Sequence, residues 1–350
     1  MCSSDLALTF VDGDTYNAET GANTGQPISD TFTVGQKVTG VKSGAAPANG
    51  VVSVAASGNT MTGETQIGPG FVGASVPNCF NWIAVTYGEY IWVSVCANVS
   101  GIASTAVMYS TNGGANWTSA NAASSAGWSA IAYGDSGSAS FVAVASDGGS
   151  GFNRNANRIM YSNDGINWNA VSITSGDWYG VIYGDDKFVT VGSNVAKYSS
   201  DGRNWTNVSG SVSGSWRGVC YGGPAGQEKF VAVASSGSKR IMYSTDGISW
   251  TTVTAPASVS YRAVAYGGAP GEEKFVAVSS GTSKSNQIAY STDGINWTAA
   301  DSASGSNWYA VVWGGDKWVA TAASSGSNRL MYSADGITWS TSGITGVNQS

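Results

Sequence analysis

The sequence contains no histidine. That excludes Ser-His-Asp and Cys-His catalysis and every imidazole metal site. Charge is also scarce, with Asp, Glu, Lys and Arg making up 11% of 350 residues against about 25% in ordinary domains. So few Lys and Glu argue against long helices. A net charge of −6 and a pI near 4.6 argue against nucleic acid or an anionic membrane as a main partner, since either needs a basic face. No apolar run approaches the roughly 20 residues that span a bilayer as a helix, so membrane insertion is not expected. The opening Met1-Cys2-Ser3-Ser4-Asp5 lacks a basic region followed by an apolar one, so no signal peptide is read and a soluble product made in the cytoplasm is expected. Cysteine is limited to Cys2, Cys79, Cys96 and Cys220, with no C-x-x-C pair. Cys96 and Cys220 stand where sister repeats carry Ala or Val, so they read as small buried thiols; a Cys79–Cys96 disulfide is left open.

What is abundant is Gly, with 48 copies, and Trp, with 14. The aromatics rule out disorder, and no G-x-y period marks a collagen. Short strands joined by tight turns fit the remainder. The chain is built on a repeat. One phrase occurs six times, from Met108 to Trp117, then as MYSNDGINW, KYSSDGRNW, MYSTDGISW, AYSTDGINW and MYSADGITW, ending at Trp168, Trp205, Trp250, Trp297 and Trp339. A second phrase of the form W-x-A-V-x-Y-G precedes each, beginning at Trp82, Trp128, Trp178, Trp216, Tyr261 and Trp308. A third, F-V-A-V or similar, lies between them.

Each unit reads as four strands. Strand A is the W-x-A-V-x-Y phrase closed by Gly, strand B is F-V-A-V, strand C is M-Y-S, and strand D begins at the box Trp. The Asp-Gly link from C to D is a hairpin signal because Gly accepts positive φ. Six such units of about 44 residues predict an all-β fold: a six-bladed β-propeller of four-stranded antiparallel blades over residues 77–350. Residues 1–76 lack the repeat and carry strand-like runs at 30–34 and 51–55, which predicts a small β-rich N-terminal module or arm. Pro69-Gly70 and Pro77 mark the linker.

The C-to-D phrase resembles the Asp-box, or BNR repeat, of sialidase-like propellers, with pattern S-x-D-x-G-x-T-W. The first unit matches its length, with Asn112 for Asp, and the other five are one residue shorter. In that family the box is a structural turn remote from the active site. The resemblance therefore implies turn-holding roles for Asn112, Asp164, Asp201, Asp246, Asp293 and Asp335, and packing roles for Trp117, Trp168, Trp205, Trp250, Trp297 and Trp339. One Asp per turn supplies too few oxygens for calcium; no metal and no cofactor is expected.

Sialidase chemistry, as the family is known, needs an arginine triad, a Tyr nucleophile with a Glu partner, an acidic Asp and an Arg-Ile-Pro motif. Arg-Ile-Pro is absent, and no Arg precedes Arg154. Arg158, Arg240 and Arg329 recur just before strand C, and Arg217 and Arg262 recur early in strand A, as interblade or edge contacts would. Many acids lie in A-to-B hairpins, on the face shared with the Asp-boxes. No catalytic residue is assigned, and a non-enzymatic protein is expected.

Binding is expected on the opposite face, where the D-to-A and B-to-C links emerge. The longest B-to-C loop carries Phe152, Asn153, Arg154 and Asn155, a recognition element on a rigid scaffold or a tolerated insertion. Trp128 and Trp178, with their counterparts, either stack against sugars or pack between blades. Two functions stay open. One is a virion protein, a phage tail or capsid appendage, held to other virion proteins by the N-terminal module and offering the propeller to a host-surface glycan or receptor. The other is a cellular propeller, either a degenerate glycoside hydrolase or an assembly factor like the photosystem II assembly propeller. Homo-oligomerisation is open in both.

Overall fold

The computed structural model describes residues 82–97, 106–135, 139–146, 157–173, 176–210, 213–323 and 329–341, together with the backbone of four short strands nearer the N-terminus. Backbone contacts divide the chain into two units, Met1–Gly73 and Ala74–Ser350. In the first, Ala7–Thr9 pairs with Thr15–Asn17 and Lys37–Gly40 with Ala48–Val51, both antiparallel. Of the expected runs at 30–34 and 51–55, only Val51, which ends Ala48–Val51, is described; the rest of both runs, and the loop carrying Phe152, Asn153, Arg154 and Asn155, lie outside the described residues.

The second unit is a six-bladed β-propeller of four-stranded antiparallel blades. Strand A runs Trp82–Gly88, Gly127–Tyr133, Trp178–Gly184, Trp216–Gly222, Ser260–Gly267 and Trp308–Trp313 in blades 1 to 6. Strand B runs Ile91–Cys96, Phe141–Ser146, Lys187–Gly192, Lys229–Ala234, Lys274–Ser280 and Trp318–Ala322. Strand C follows as Val107–Ser110, Ile159–Ser162, Val195–Ser199, Ile241–Ser244, Ile288–Ser291 and Leu330–Ser333. Strand D is short and in five blades starts one residue after the box Trp; only in blade 4 (Ser249–Val253) does it include that residue, Trp250. Blade 4 also gains a fifth strand, Ser209–Gly210, parallel to its strand D.

Strand B is apolar without alternation because neighbouring blades cover both of its faces; Val142, Ala143, Val144 and Ala145 are all fully buried. Five hydrophobic clusters fill the spaces between successive blades. The cluster between blades 3 and 4 joins Val189 and Val191 to Trp216, Phe230 and Trp250. Two thiols expected to be alike differ. Cys220 is a buried free thiol whose pKa burial pushes up, but Cys96 is disulfide-bonded, which corrects its reading as a thiol. Its partner is outside the described residues.

Each blade carries a ring pair from strands A and B, such as Tyr183 with Phe188 at 4.8 Å and Tyr221 with Phe230 at 4.6 Å. The strand-A ring also covers the last glycine of the preceding blade's strand A. A Cβ at Gly88, Gly134, Gly184, Gly222 or Gly267 would overlap the side chain of Tyr133, Tyr183, Tyr221, Tyr266 or Trp313 respectively. The glycine that ends each A phrase is thus a notch for its neighbour's ring.

The Asp turns close each blade at its outer edge. In blade 2, Ser162 Oγ donates to Asp164 Oδ1 (2.9 Å) and accepts from Gly165 N–H (2.9 Å). Asp164 Oδ1 also accepts the backbone N–H groups of Ile166 and Asn167, and Oδ2 accepts from Asn167 Nδ2. Trp168 Nε1 donates to the Gly165 carbonyl at 3.2 Å. The bonds from Ser to Asp, from two N–H groups to Asp and from Trp to Gly recur at Asp201, Asp246, Asp293 and Asp335. Asn112 accepts from Ser110 Oγ and Asn116 N–H in the longer first turn, and Trp117 Nε1 donates to Gly114. Partial burial alone would raise these carboxyl pKa values, but the converging N–H donors outweigh it. Asp164, Asp201 and Asp293 are held at about 2, and Asp246 and Asp335 are lowered in the same way.

Two outcomes follow. Trp250 is buried with its N–H satisfied, so Trp250→Ala is expected to cost roughly 3–5 kcal/mol in chemical denaturation; an unchanged transition would remove it from the interblade core. The folded-state carboxyl pKa values lie below the ordinary value of about 3.9. Charged aspartate therefore favours the fold, a contribution complete above about pH 4 and lost as pH falls through about 2. The urea midpoint should drop across that window, and less so in Asp164→Asn; a midpoint independent of pH would contradict the turn assignment.

Candidate functional site

Strand A is the innermost strand of each blade, and its N-terminal end faces the side where the D-to-A and B-to-C links emerge. The leading aromatics lie there but point into the interblade space: Trp128, Trp178, Trp216, Tyr261 and Trp308 have no exposed surface. Of the two readings left open for Trp128 and Trp178, their burial fits packing between blades, because neither offers a ring face to a ligand. Burial also pushes the Tyr261 phenol up to about 12, the opposite of what a Tyr nucleophile needs.

What reaches the mouth is the next residue. In every blade the register between strands A and B shifts by one immediately after the leading aromatic. The shift leaves Ile83, Ser129, Tyr179, Arg217, Arg262 and Tyr309 without a ladder partner on strand B, as a β-bulge does. Gly180 and Gly218 follow two of these positions and let adjacent strands approach closely: a Cβ at Gly218 would sit 3.0 Å from the Arg262 carbonyl oxygen.

Five of the six bulge residues interact across blade boundaries, four of them as Arg–Tyr pairs. The Arg217 guanidinium of blade 4 lies 3.8 Å over the Tyr179 ring of blade 3. The Arg262 guanidinium of blade 5 lies 5.0 Å over the Tyr309 ring of blade 6. Arg217 Nε donates to Ser235 Oγ at 3.1 Å, and Arg262 Nε to Ser280 Oγ at 3.0 Å. Neither makes an ion pair with a carboxylate among the described residues. Each is half-buried, held by one N–H and one ring, with its terminal nitrogens uncommitted. Ser129 Oγ instead donates to the Trp178 carbonyl at 2.7 Å and ties blade 2 to blade 3.

The arginines before strand C behave differently. Arg158 Nη1 reaches Asp177 Oδ1 at 3.0 Å and the Gly176 carbonyl at 2.9 Å, and Arg240 Nη1 reaches the Val259 carbonyl. Gln287 makes the equivalent reach to Ser306 at 2.8 Å. These are struts between blades, as their recurrence implied.

Charge is unevenly divided along the axis. Glu89, Asp185, Asp186, Glu228, Glu272, Glu273 and Asp316 belong to A-to-B links, on the same face as the Asp turns, whereas Arg217 and Arg262 are at the other face together with Asp177 and Asp301 of the D-to-A links. A shallow groove of about 410 Å³ on the outer rim, lined by residues such as Tyr109, Asn121, Asn167 and Trp168, holds no charged side chain. The sequence named Arg217 and Arg262 only as repeat contacts and missed Tyr179 and Tyr309, because a bulge is invisible in W-x-A-V-x-Y. The only signal was that the x after the leading aromatic is Tyr or Arg in four consecutive blades.

No family model and no curated protein sequence matches the chain. Among solved structures, YCF48 from Cyanidioschyzon merolae aligns with a TM-score of 0.52 at 16% identity, over 75% of this chain and 84% of that one. A structure of YCF48 bound to D1 peptide aligns with a TM-score of 0.51 at 15% identity, over 75% and 80%. A GH74 enzyme from Niastella koreensis aligns with a TM-score of 0.46 at 20% identity, over 74% of this chain and 37% of that one. At these identities the similarity is one of fold.

Proposed function

We propose that this chain is a non-catalytic binding propeller whose mouth, built from strand-A bulge residues, holds an extended protein segment bearing a carboxylate. The observation that carries the reading is the row Tyr179, Arg217, Arg262 and Tyr309, in which two arginines are braced by rings and serines and make no ion pair with a carboxylate among the described residues. A guanidinium fixed in this way has already lost much of its side-chain freedom, so it loses less on meeting a carboxylate. The flanking tyrosines add apolar surface for the stem of the segment. The acid-rich opposite face orients an anionic partner toward the mouth during encounter.

This follows the assembly-factor side of the two functions left open by the sequence. The YCF48 likeness, one instance of which holds a peptide, supports it; no observation favours a virion appendage. The non-catalytic part of the proposal rests on the missing sialidase motif and the absent histidine.

Binding of fluorescein-labelled decapeptides with free and with amidated C-termini, and with acidic and neutral side chains, tests the proposal. Peptides carrying carboxylate should bind, and the double variant Arg217→Gln with Arg262→Gln should weaken them at least about tenfold, the loss expected for two charge-assisted contacts. Its melting temperature should stay close to that of the parent, since both side chains are part-exposed. Equal binding by parent and variant, or no binding of any peptide at millimolar concentration, would contradict it.

A further inference from the structure

The first Asp-type turn departs from the other five in two respects. It carries an amide, Asn112, where they carry a carboxylate, and it is one residue longer. The hydrogen bonds identify the extra residue. In the shorter turns the glycine directly after the aspartate gives its N–H to the serine, as Gly165 does to Ser162 Oγ and as Gly247, Gly294 and Gly336 do in their blades. In blade 1 that bond to Ser110 Oγ comes from Gly114, at 2.9 Å, and Trp117 Nε1 likewise donates to the Gly114 carbonyl. Gly113 is therefore the insertion, and its N–H makes no hydrogen bond among the described residues.

The two departures meet in one dipeptide. Asn112 and Gly113 are exposed, Gly113 has a φ of +74°, and a Cβ there would meet nothing within 4 Å. With no side chain and no hydrogen bond to hold it, the Gly113 nitrogen can turn toward the Asn112 side chain. Ser110 Oγ and the Asn116 N–H both donate to Asn112 Oδ1, each at 2.9 Å. They polarise the amide carbonyl and stabilise the oxyanion that forms when it is attacked. Asn112 Nδ2, the leaving nitrogen, has no partner among the described residues. The chain's other Asn-Gly, Asn49-Gly50, lies within the strand Ala48–Val51, in register with Thr39 and Val38, where the ladder holds the backbone extended.

We propose that Asn112 is a site of spontaneous deamidation, which converts the first turn to the aspartate form of the other five. The Gly113 nitrogen attacks the Asn112 side-chain carbon and gives up its proton, and ammonia leaves from that carbon, closing a succinimide ring. Water then opens the ring at the same carbon, breaking its bond to the Gly113 nitrogen and leaving a carboxylic acid that ionises. The sum is amide plus water to carboxylate plus ammonium. The product keeps Ser110 Oγ and the Asn116 N–H as donors, the same kinds of donor that hold the other aspartates ionised. Opening at the backbone carbonyl instead gives isoaspartate, which lengthens the main chain and draws the acid away from both donors. The reaction is independent of what the mouth binds.

The native full chain, held in mildly alkaline buffer, would be followed by peptide mapping with fragmentation that separates aspartate from isoaspartate. Residue 112 should convert at least about tenfold faster than Asn49 or any other asparagine, a barrier difference of about 1.4 kcal/mol, and mainly to aspartate. Deleting Gly113 leaves an Asn-Gly sequence but commits the N–H after Asn112 to Ser110, so that variant should convert at least about tenfold more slowly than the parent. If the variant does not fold, the rates and product of the parent decide alone. A smaller lead over Asn49, a product that is mainly isoaspartate, or a folded variant that reacts as fast as the parent would overturn the proposal.

Discussion

A ring from one blade lying over a glycine of the blade before it is the contact on which this structure depends. Blades twist and narrow toward the axis, so strand A must approach its neighbour more closely than side chains on both sides permit. Leaving out one Cβ at Gly88, Gly134, Gly184, Gly222 and Gly267 makes that approach feasible, and the neighbouring aromatic fills the gap. The same ring leans on strand B of its own blade. One side chain thereby fixes both the inside of a blade and its distance to the next.

The bulge after each leading aromatic is the second consequence of crowding at the axis. Turning the large indole into the interblade space displaces the following residue from the ladder. That residue is free of the core and of strand pairing, so it can vary: Ile83, Ser129, Tyr179, Arg217, Arg262 and Tyr309 share one geometry and four chemistries. The scaffold holds position while the mouth changes character. The Asp turns do related work at the other end, drawing two backbone N–H groups and a serine hydroxyl onto each carboxylate and so engaging donors the hairpin would otherwise leave unpaired.

Much of this was legible in the chain. The W-x-A-V-x-Y, F-V-A-V and S-x-D-G phrases carry the strand periods and the turn chemistry together, so six four-stranded blades followed from spacing alone. The Asp and Trp of each box could be placed because local hydrogen bonds between residues two or three apart are written in short-range sequence. Three features were not legible. Gly184 reads as a strand terminator, and only packing shows it as the seat of Tyr221. Trp128 and Trp178 were located correctly, but which way a ring points depends on the register shift beside it. Cys96 stands where other blades carry Ala or Val, so its repeat position reads as a thiol, and the sequence left its disulfide open.

A double-mutant cycle at one internal interface tests the glycine-and-ring account most directly. Stability to urea would be measured for the parent, Gly184→Ala, Tyr221→Ala and the double variant. Alanine at 184 should cost about 1–3 kcal/mol while Tyr221 is present, and much less once the ring has been removed. The coupling between the two changes should be at least about 1 kcal/mol. Costs that simply add would show that Gly184 and Tyr221 act independently, and the interlock could not then be what spaces the blades.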